Sequence, residues 1–297
     1  MIDPLGSAGA RMRARVLAPA MALGMLIALT TMAACGPGPS ASSSPRPTKT
    51  PTVSPTPSVG TPSAGSSAGS PPGSPSSSPG VAEYPWHTDI VSTTFWVGEI
   101  FDPLASDGSQ MISTYDPAWF ENYGGCDGVL IAGECRTEPR TADNGYFPTQ
   151  MTPRQNPFYL DLPFDDINDA GAFARRDEVV PWAGEAPYVD HRGDVTFSYL
   201  KNRWVQLRLG DRECFGQVQD AGPGEYDDAE YVFGGDDARP ANARYGGAGL
   251  DVSPAITGCL GFGDLDGVTG RISWRFVEEA DVPPGPWLRI VTTSQVQ

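Results

Sequence analysis

Histidine is almost missing from this chain: His87 and His191 are the only two in 297 residues. There is no Cys-x-x-Cys pair either, so an ordinary zinc site has no ligand set. A Ser-His-Asp or Cys-His nucleophile is equally unsupported. His87 follows a low-complexity tract, and His191 lies in a Gly/Asp-rich stretch. Lysine is as scarce, with only Lys49 and Lys201 among 20 basic residues. Basic charge is also unevenly spread. Residues 1–81 hold five basic residues and one acid, leaving 15 basic and 35 acidic residues in 82–297, a net charge of −20. Such a surface repels nucleic acid and anionic lipid headgroups. A neutral glycan or a cationic partner suits it better. No apolar run is long enough to span a bilayer comfortably; the longest, 16–31, is short of that length. The acidic run 165–169 fails as an EF-hand, because Ala170 stands where an oxygen ligand is needed. It reads as a solvated turn. No internal repeat is present, and no metal or other cofactor is expected.

What is present at the amino terminus is an address. Arg11, Arg13 and Arg15 form a basic patch before the apolar run, and Met32-Ala33-Ala34-Cys35 follows. This arrangement resembles the bacterial lipobox, which implies cleavage before Cys35 and a lipid on its sulfur. Residues 36–81 are dominated by Ser, Pro, Thr and Gly. They lack apolar periodicity and cannot bury a core, so they read as a disordered tether. At about 3 Å per residue such a tether reaches on the order of 100 Å. The expected organisation is a signal peptide over 1–35, a linker over 36–81 and one folded domain over 82–297. The expected location is extracellular, anchored to the membrane of a bacterial envelope.

In the folded part, 203–209 (Arg-Trp-Val-Gln-Leu-Arg-Leu) alternates as a half-buried strand, Gly210-Asp211 turns, and 214–220 alternates again. Further strands are expected at 93–101, 111–115, 158–164, 195–200, 271–277 and 287–293. Asp116-Pro117 suits the start of a short helix through 123. Ser253 and Pro254 suit an N-cap and first helical position for a helix through Leu260. About seven strands with few helices argue for a small closed β-barrel with long loops.

The motif Asp220-Ala221-Gly222-Pro223, followed by Leu250-Asp251-Val252-Ser253-Pro254-Ala255, resembles the double-psi β-barrel family. That family includes rare lipoprotein A, the first domain of expansins, barwin-like proteins and family 45 glycoside hydrolases. The order and spacing are similar to those of rare lipoprotein A, with a longer insert at about 224–246. The resemblance implies a six-stranded double-psi β-barrel with long loops and short helices, and a polysaccharide such as peptidoglycan or β-glucan as partner.

It also implies site residues. Asp251 corresponds to the acid of the family's His-Phe-Asp motif, which here reads Gly249-Leu250-Asp251. Ser113-Thr114-Tyr115-Asp116 is similar to the segment that supplies the catalytic base in family 45, so Asp116 is the candidate base. Asp102 competes for that role. Asp220 either fixes the loop through backbone amides or lines the groove. Tyr115, Trp119, Tyr123 and Tyr226 are candidate sugar-stacking rings.

Four cysteines remain beyond Cys35, and an exported domain favours two disulfides. Three pairings exist; Cys126–Cys135 with Cys214–Cys259 is the favoured one. Three activities remain open on these residues: a glycoside hydrolase or lytic transglycosylase, a non-catalytic glycan-binding or wall-loosening module, and a protein-interaction domain. A monomer is expected.

Overall fold

The computed structural model describes residues 83–105, 108–262 and 268–297. The chain divides into two units, Met1–Pro72 and Gly73–Gln297, and the described residues belong to the second. The expected signal segment, Cys35 and the expected tether lie outside them.

The strands and helices run in chain order as β1 (His87–Thr94), α1 (Trp119–Tyr123), β2 (Val129–Ile131), β3 (Glu134–Arg136), β4 (Tyr159–Leu162) and α2 (Ala170–Val179). Then come β5 (Trp204–Leu209), β6 (Arg212–Ala221), α3 (Ala229–Phe233), β7 (Leu250–Val252), α4 (Pro254–Leu260) and β8 (Val268–Val277). Six strands close into a barrel in the order β1-β7-β4-β6-β5-β8, while β2 and β3 form a separate hairpin. Two barrel pairs are parallel, β1 with β7 and β4 with β6. The other four are antiparallel. Closure leaves the barrel no free edge.

The local signals in the sequence explain the best-formed parts. The β5–β6 hairpin turns at Gly210-Asp211, with Leu209 paired to Arg212 and Gly210 at φ +57°. Ser253 Oγ accepts from the Ile256 amide, Pro254 opens α4, and Gly261 closes it at φ +78°. Helix α4 packs on β6 at Gly216, where a Cβ would come within 2.7 Å of Ile256 Cδ1. Cys214 and Cys259 bridge the same two elements with Cα atoms 6.2 Å apart, and Cys126 and Cys135 are bridged at 5.5 Å. The main core gathers Leu160, Leu162, Val205, Leu207, Val218, Leu250, Val252, Ile256, Ile272 and Trp274. A smaller cluster packs Phe95, Val97, Trp119, Tyr123 and Tyr159.

Several expected strands are absent. The first strand stops at Thr94, and the described residues of 98–112 form a loop held by an isolated bridge between Ile100 and Ser109. Segments 111–115 and 195–200 form no ladder, and in each a buried carboxylate takes one amide. Asp220 accepts from Thr114 N–H, and Asp166 accepts from Tyr199 N–H. Residues 287–293 hold a single 3₁₀ turn, Pro286–Leu288, and no strand.

Helix α2 is the converse case, a helix where none was expected. Asp169 caps it by accepting from Gly171 and Ala172 N–H. Its inward face is Ala172 and Arg176, so the apolar stripe that betrays a helix is interrupted by an arginine. Arg176 is buried and donates to the carbonyls of Asp166, His191, Asp194 and Phe197. Asp166 is therefore no part of a solvated turn. It is fully buried and accepts from Ser198 Oγ at 2.6 Å.

Candidate functional site

Three adjacent strands each deliver one aspartate to the same corner of the barrel. Asp161 lies on β4, Asp220 on β6 and Asp251 on β7. Asp161 and Asp220 are Cα partners across the parallel β4–β6 pair, immediately after a register shift between Leu160 and Asp161. Asp251 is paired with Thr93 of β1. Asp161 Oδ1 accepts from the Asp251 amide at 2.6 Å. Asp220 Oδ1 accepts from Thr114 N–H and from its neighbour Ala221 N–H, both at 2.8 Å.

The corner is poorly solvated. Asp161 and Asp220 are buried, while Asp251 is only partly exposed, and Asp251 Oδ1 is closed to solvent without a hydrogen-bond partner. Burial disfavours the charged carboxylate and raises its pKa. Burial pushes Asp220 up to about 6, against the two amides that favour its ionised form. Burial and then the charge of Asp220 push Asp251 up to about 7. Asp161 is raised well above the usual carboxylate range, by burial first and then by Asp251 and Asp220. A cation that feels Asp220 is Lys201, itself buried and donating to Gln219 Oε1 at 3.1 Å. Burial lowers it to about 8, against the pull of Asp116 and Asp220.

A groove of about 780 Å³ opens beside this corner, and Asp220 forms part of its wall. Asp161 and Asp251 do not line it. Exposed large apolar side chains on its wall are Phe101, Ile112, Val195 and Tyr226. The lining also includes Asp165 and Asp169 but no Lys, Arg or His. A polyanion would meet carboxylates there with no compensating base. Among the described residues no three His, Cys, Asp or Glu side chains converge as metal ligands.

The residues singled out from the sequence divide accordingly. Asp251 and Asp220 neighbour each other, and Tyr226 lies on the groove wall. Asp116 is fully buried, and both its oxygens are occupied. Oδ1 accepts from Ala118 N–H and Asn122 Nδ2, and Oδ2 from Asn122 Nδ2, so the carboxylate braces the turn into α1. Asp102 is exposed and accepts from Leu104 N–H in the 98–112 loop, outside the groove wall. Tyr115, Trp119 and Tyr123 are buried at 0–1% exposure and offer no ring face to a sugar. Trp119 Nε1 donates inward, to Gln155. These rings fill the core and leave the surface to others.

Two groups carry little signal in the sequence. Asp161 sits in the apolar run Phe158-Tyr159-Leu160-Asp161-Leu162, and an acid inside a fully buried strand is its one mark. Phe101, Ile112 and Val195 reach the groove from segments that carry no local mark of it. Scanned against protein-family models and against curated proteins, the sequence matches none.

Proposed function

We propose that this chain is an exported, lipid-anchored protein that acts on a neutral polysaccharide, with Asp251 as proton donor and Asp220 as the carboxylate facing the groove. The observation that carries the reading is the Asp161–Asp220–Asp251 corner beside a groove that lacks basic residues. The mixed six-stranded barrel with two parallel pairs is compatible with the double-psi topology that the Asp220 and Asp251 motifs resemble.

Glycoside cleavage needs one carboxyl that holds a proton and one that has lost it. Burial raises Asp220 to about 6 and Asp251 to about 7, so both can exchange a proton near neutral pH, and Asp251, the higher of the two, takes the donor's part. In this mechanism the glycosidic C–O bond breaks as Asp251 protonates the leaving oxygen. A water oxygen forms the new bond to the sugar carbon, and its proton passes to Asp220. Asp220 thus takes the role expected of Asp116, whose oxygens are engaged elsewhere. Phe101 and Tyr226 supply partly exposed rings on which a sugar face can stack.

One observation favours a second reading. Of the three aspartates only Asp220 lines the groove, which suits a module that binds a glycan without cleaving it.

The test is to incubate the full chain, wild type and Asp251→Asn, with a panel of β-glucans and peptidoglycan. Pull-down and new reducing ends are both scored. Cleavage by the wild type and its loss by at least 10²-fold in Asp251→Asn supports the enzyme. Retention by both proteins with no new ends supports the binding module. Absence of both from every glycan overturns the proposal.

A further inference from the structure

We infer that Asp161 is the positioning residue of this site, pinning the Asp251 main chain through Oδ1 and holding one proton jointly with the Asp251 carboxyl. Its link to catalysis rests on the glycan reading above; the geometry does not.

The β4–β7 contact has a single paired position, Leu160 with Val252. One residue further along, the Asp251 amide is taken by the Asp161 side chain at 2.6 Å instead of by a carbonyl. On the other side of β4 the ladder with β6 shifts register at the same point: Leu160 faces Val218 and Asp161 faces Asp220, leaving Gln219 of β6 as the extra residue.

The end of the neighbouring strand β6 has made room for the same carboxyl. Gly222, at φ +155°, is placed so that a Cβ would stand 2.7 Å from Asp161 Oδ2. The glycine of the Asp220-Ala221-Gly222-Pro223 motif is thus required by the residue across from it. Asp161 Oδ1 is committed as an acceptor, which leaves Oδ2 as the oxygen able to hold a proton.

The charged and titratable groups around Asp161 come from three elements. Asp251 faces it from β7 and Asp220 from β6, and the Tyr231 hydroxyl of α3 lies within its field. Asp228 and Arg239 act on Tyr231 in turn, and Asp165 and Lys201 on or beside Asp220. No guanidinium contacts the Asp161 carboxylate among the described residues, so neutralisation falls to a proton. A buried pair of carboxylates sharing a site releases its two protons in separated steps, the second opposed by the charge left by the first. The pair then keeps one proton at a pH where Asp251 alone would have lost its own.

Asp161→Asn separates these roles. It keeps the carbonyl oxygen that accepts from Asp251 N–H and removes the charge. The measurement is a carboxyl ¹³C NMR titration of the aspartate-labelled full chain, with Asp251→Asn supplying the assignment. In the wild type the Asp161–Asp251 pair should titrate in two separated steps. In Asp161→Asn only one step should remain, at a lower pH than the second step of the wild type. Release of fragments from the glycan panel should then fall about tenfold at pH 8 relative to wild type, with little change at pH 6. An acid weakened in its hold on the proton by about one pH unit keeps roughly a tenth as much of its protonated form there.

An Asp251 titration identical in the two proteins overturns the inference, as does a wild type in which both groups titrate singly in the ordinary carboxylate range. The second criterion needs only the wild type, so it decides the matter even if the variant does not fold. A moved titration in a chain inactive on every glycan leaves the inference standing and removes the glycan reading. Activity with an unmoved titration does the reverse.

Discussion

Two of the corners in which this domain buries aspartate are built in opposite ways. At Asp127 every oxygen is met. Arg140 Nη2 donates to Oδ1 and to the main-chain carbonyl, both at 2.9 Å, and Tyr159 donates to Oδ2 at 2.8 Å. At the Asp161–Asp220–Asp251 corner three carboxylates share one region, and among the described residues no arginine pairs with them and one oxygen of Asp251 has no hydrogen-bond partner. A buried charge needs a compensating partner or else gives up its charge. The first corner uses a guanidinium, and the buried ion pair braces the β2–β3 region. The second uses protons, which destabilises the fold near neutral pH but leaves a group able to donate. Uncompensated burial of that kind is the arrangement that acid–base chemistry requires.

The contrast can be broken from either side. The largest effect is expected from Arg140→Met, which makes the first corner resemble the second. Asp127 would be buried without its cation, and urea denaturation should show a loss of about 3–5 kcal/mol. A loss under about 1 kcal/mol would show that the pair is not what holds that corner.

Asp251→Asn moves the second corner the other way and should stabilise it. A carboxylate with folded pKa raised to about 7 carries no penalty below its unfolded value. Wild-type stability therefore falls as pH rises from about 4 to about 7. The variant should escape that fall and be about 2–4 kcal/mol more stable at pH 8, with no gain at pH 3.5. Equal stability curves for the two proteins across this range would remove the claim that Asp251 is held neutral.

The smallest expected effect checks a feature outside both corners. Ser253→Ala deletes the α4 cap and should cost about 1 kcal/mol at every pH. A pH-dependent loss would mean that the cap is coupled to Asp251, two residues away.

Legibility followed distance along the chain. The β5–β6 hairpin is readable because its turn, alternation and partners lie within twenty residues. The α4 start is readable because Ser253 and Pro254 act on amides a few positions ahead. Both disulfides follow the favoured pairing, one closing a short loop and one tying β6 to the segment after Asp251. By contrast, Tyr115, Trp119 and Tyr123 look like a sugar platform only until the α1 turn is folded inward. Asp116 looks like a base only until Asn122 is seen to occupy its oxygens. Helix α2 is hidden because its buried face includes Arg176, whose partners lie 10 to 21 residues away.

The sequence by itself determined the acidic character, the mainly β content, the hairpin, the α4 helix start and the presence of two motif aspartates. Each follows from composition or from contacts within a few residues. Only the tertiary structure decided that Asp161 joins them, that Asp116 does not, and which apolar side chains rim the groove. Asp161 meets its partners 59 and 90 residues away, through a parallel ladder and a bulge. Barrel closure brings such positions together, and nothing local in the chain encodes it.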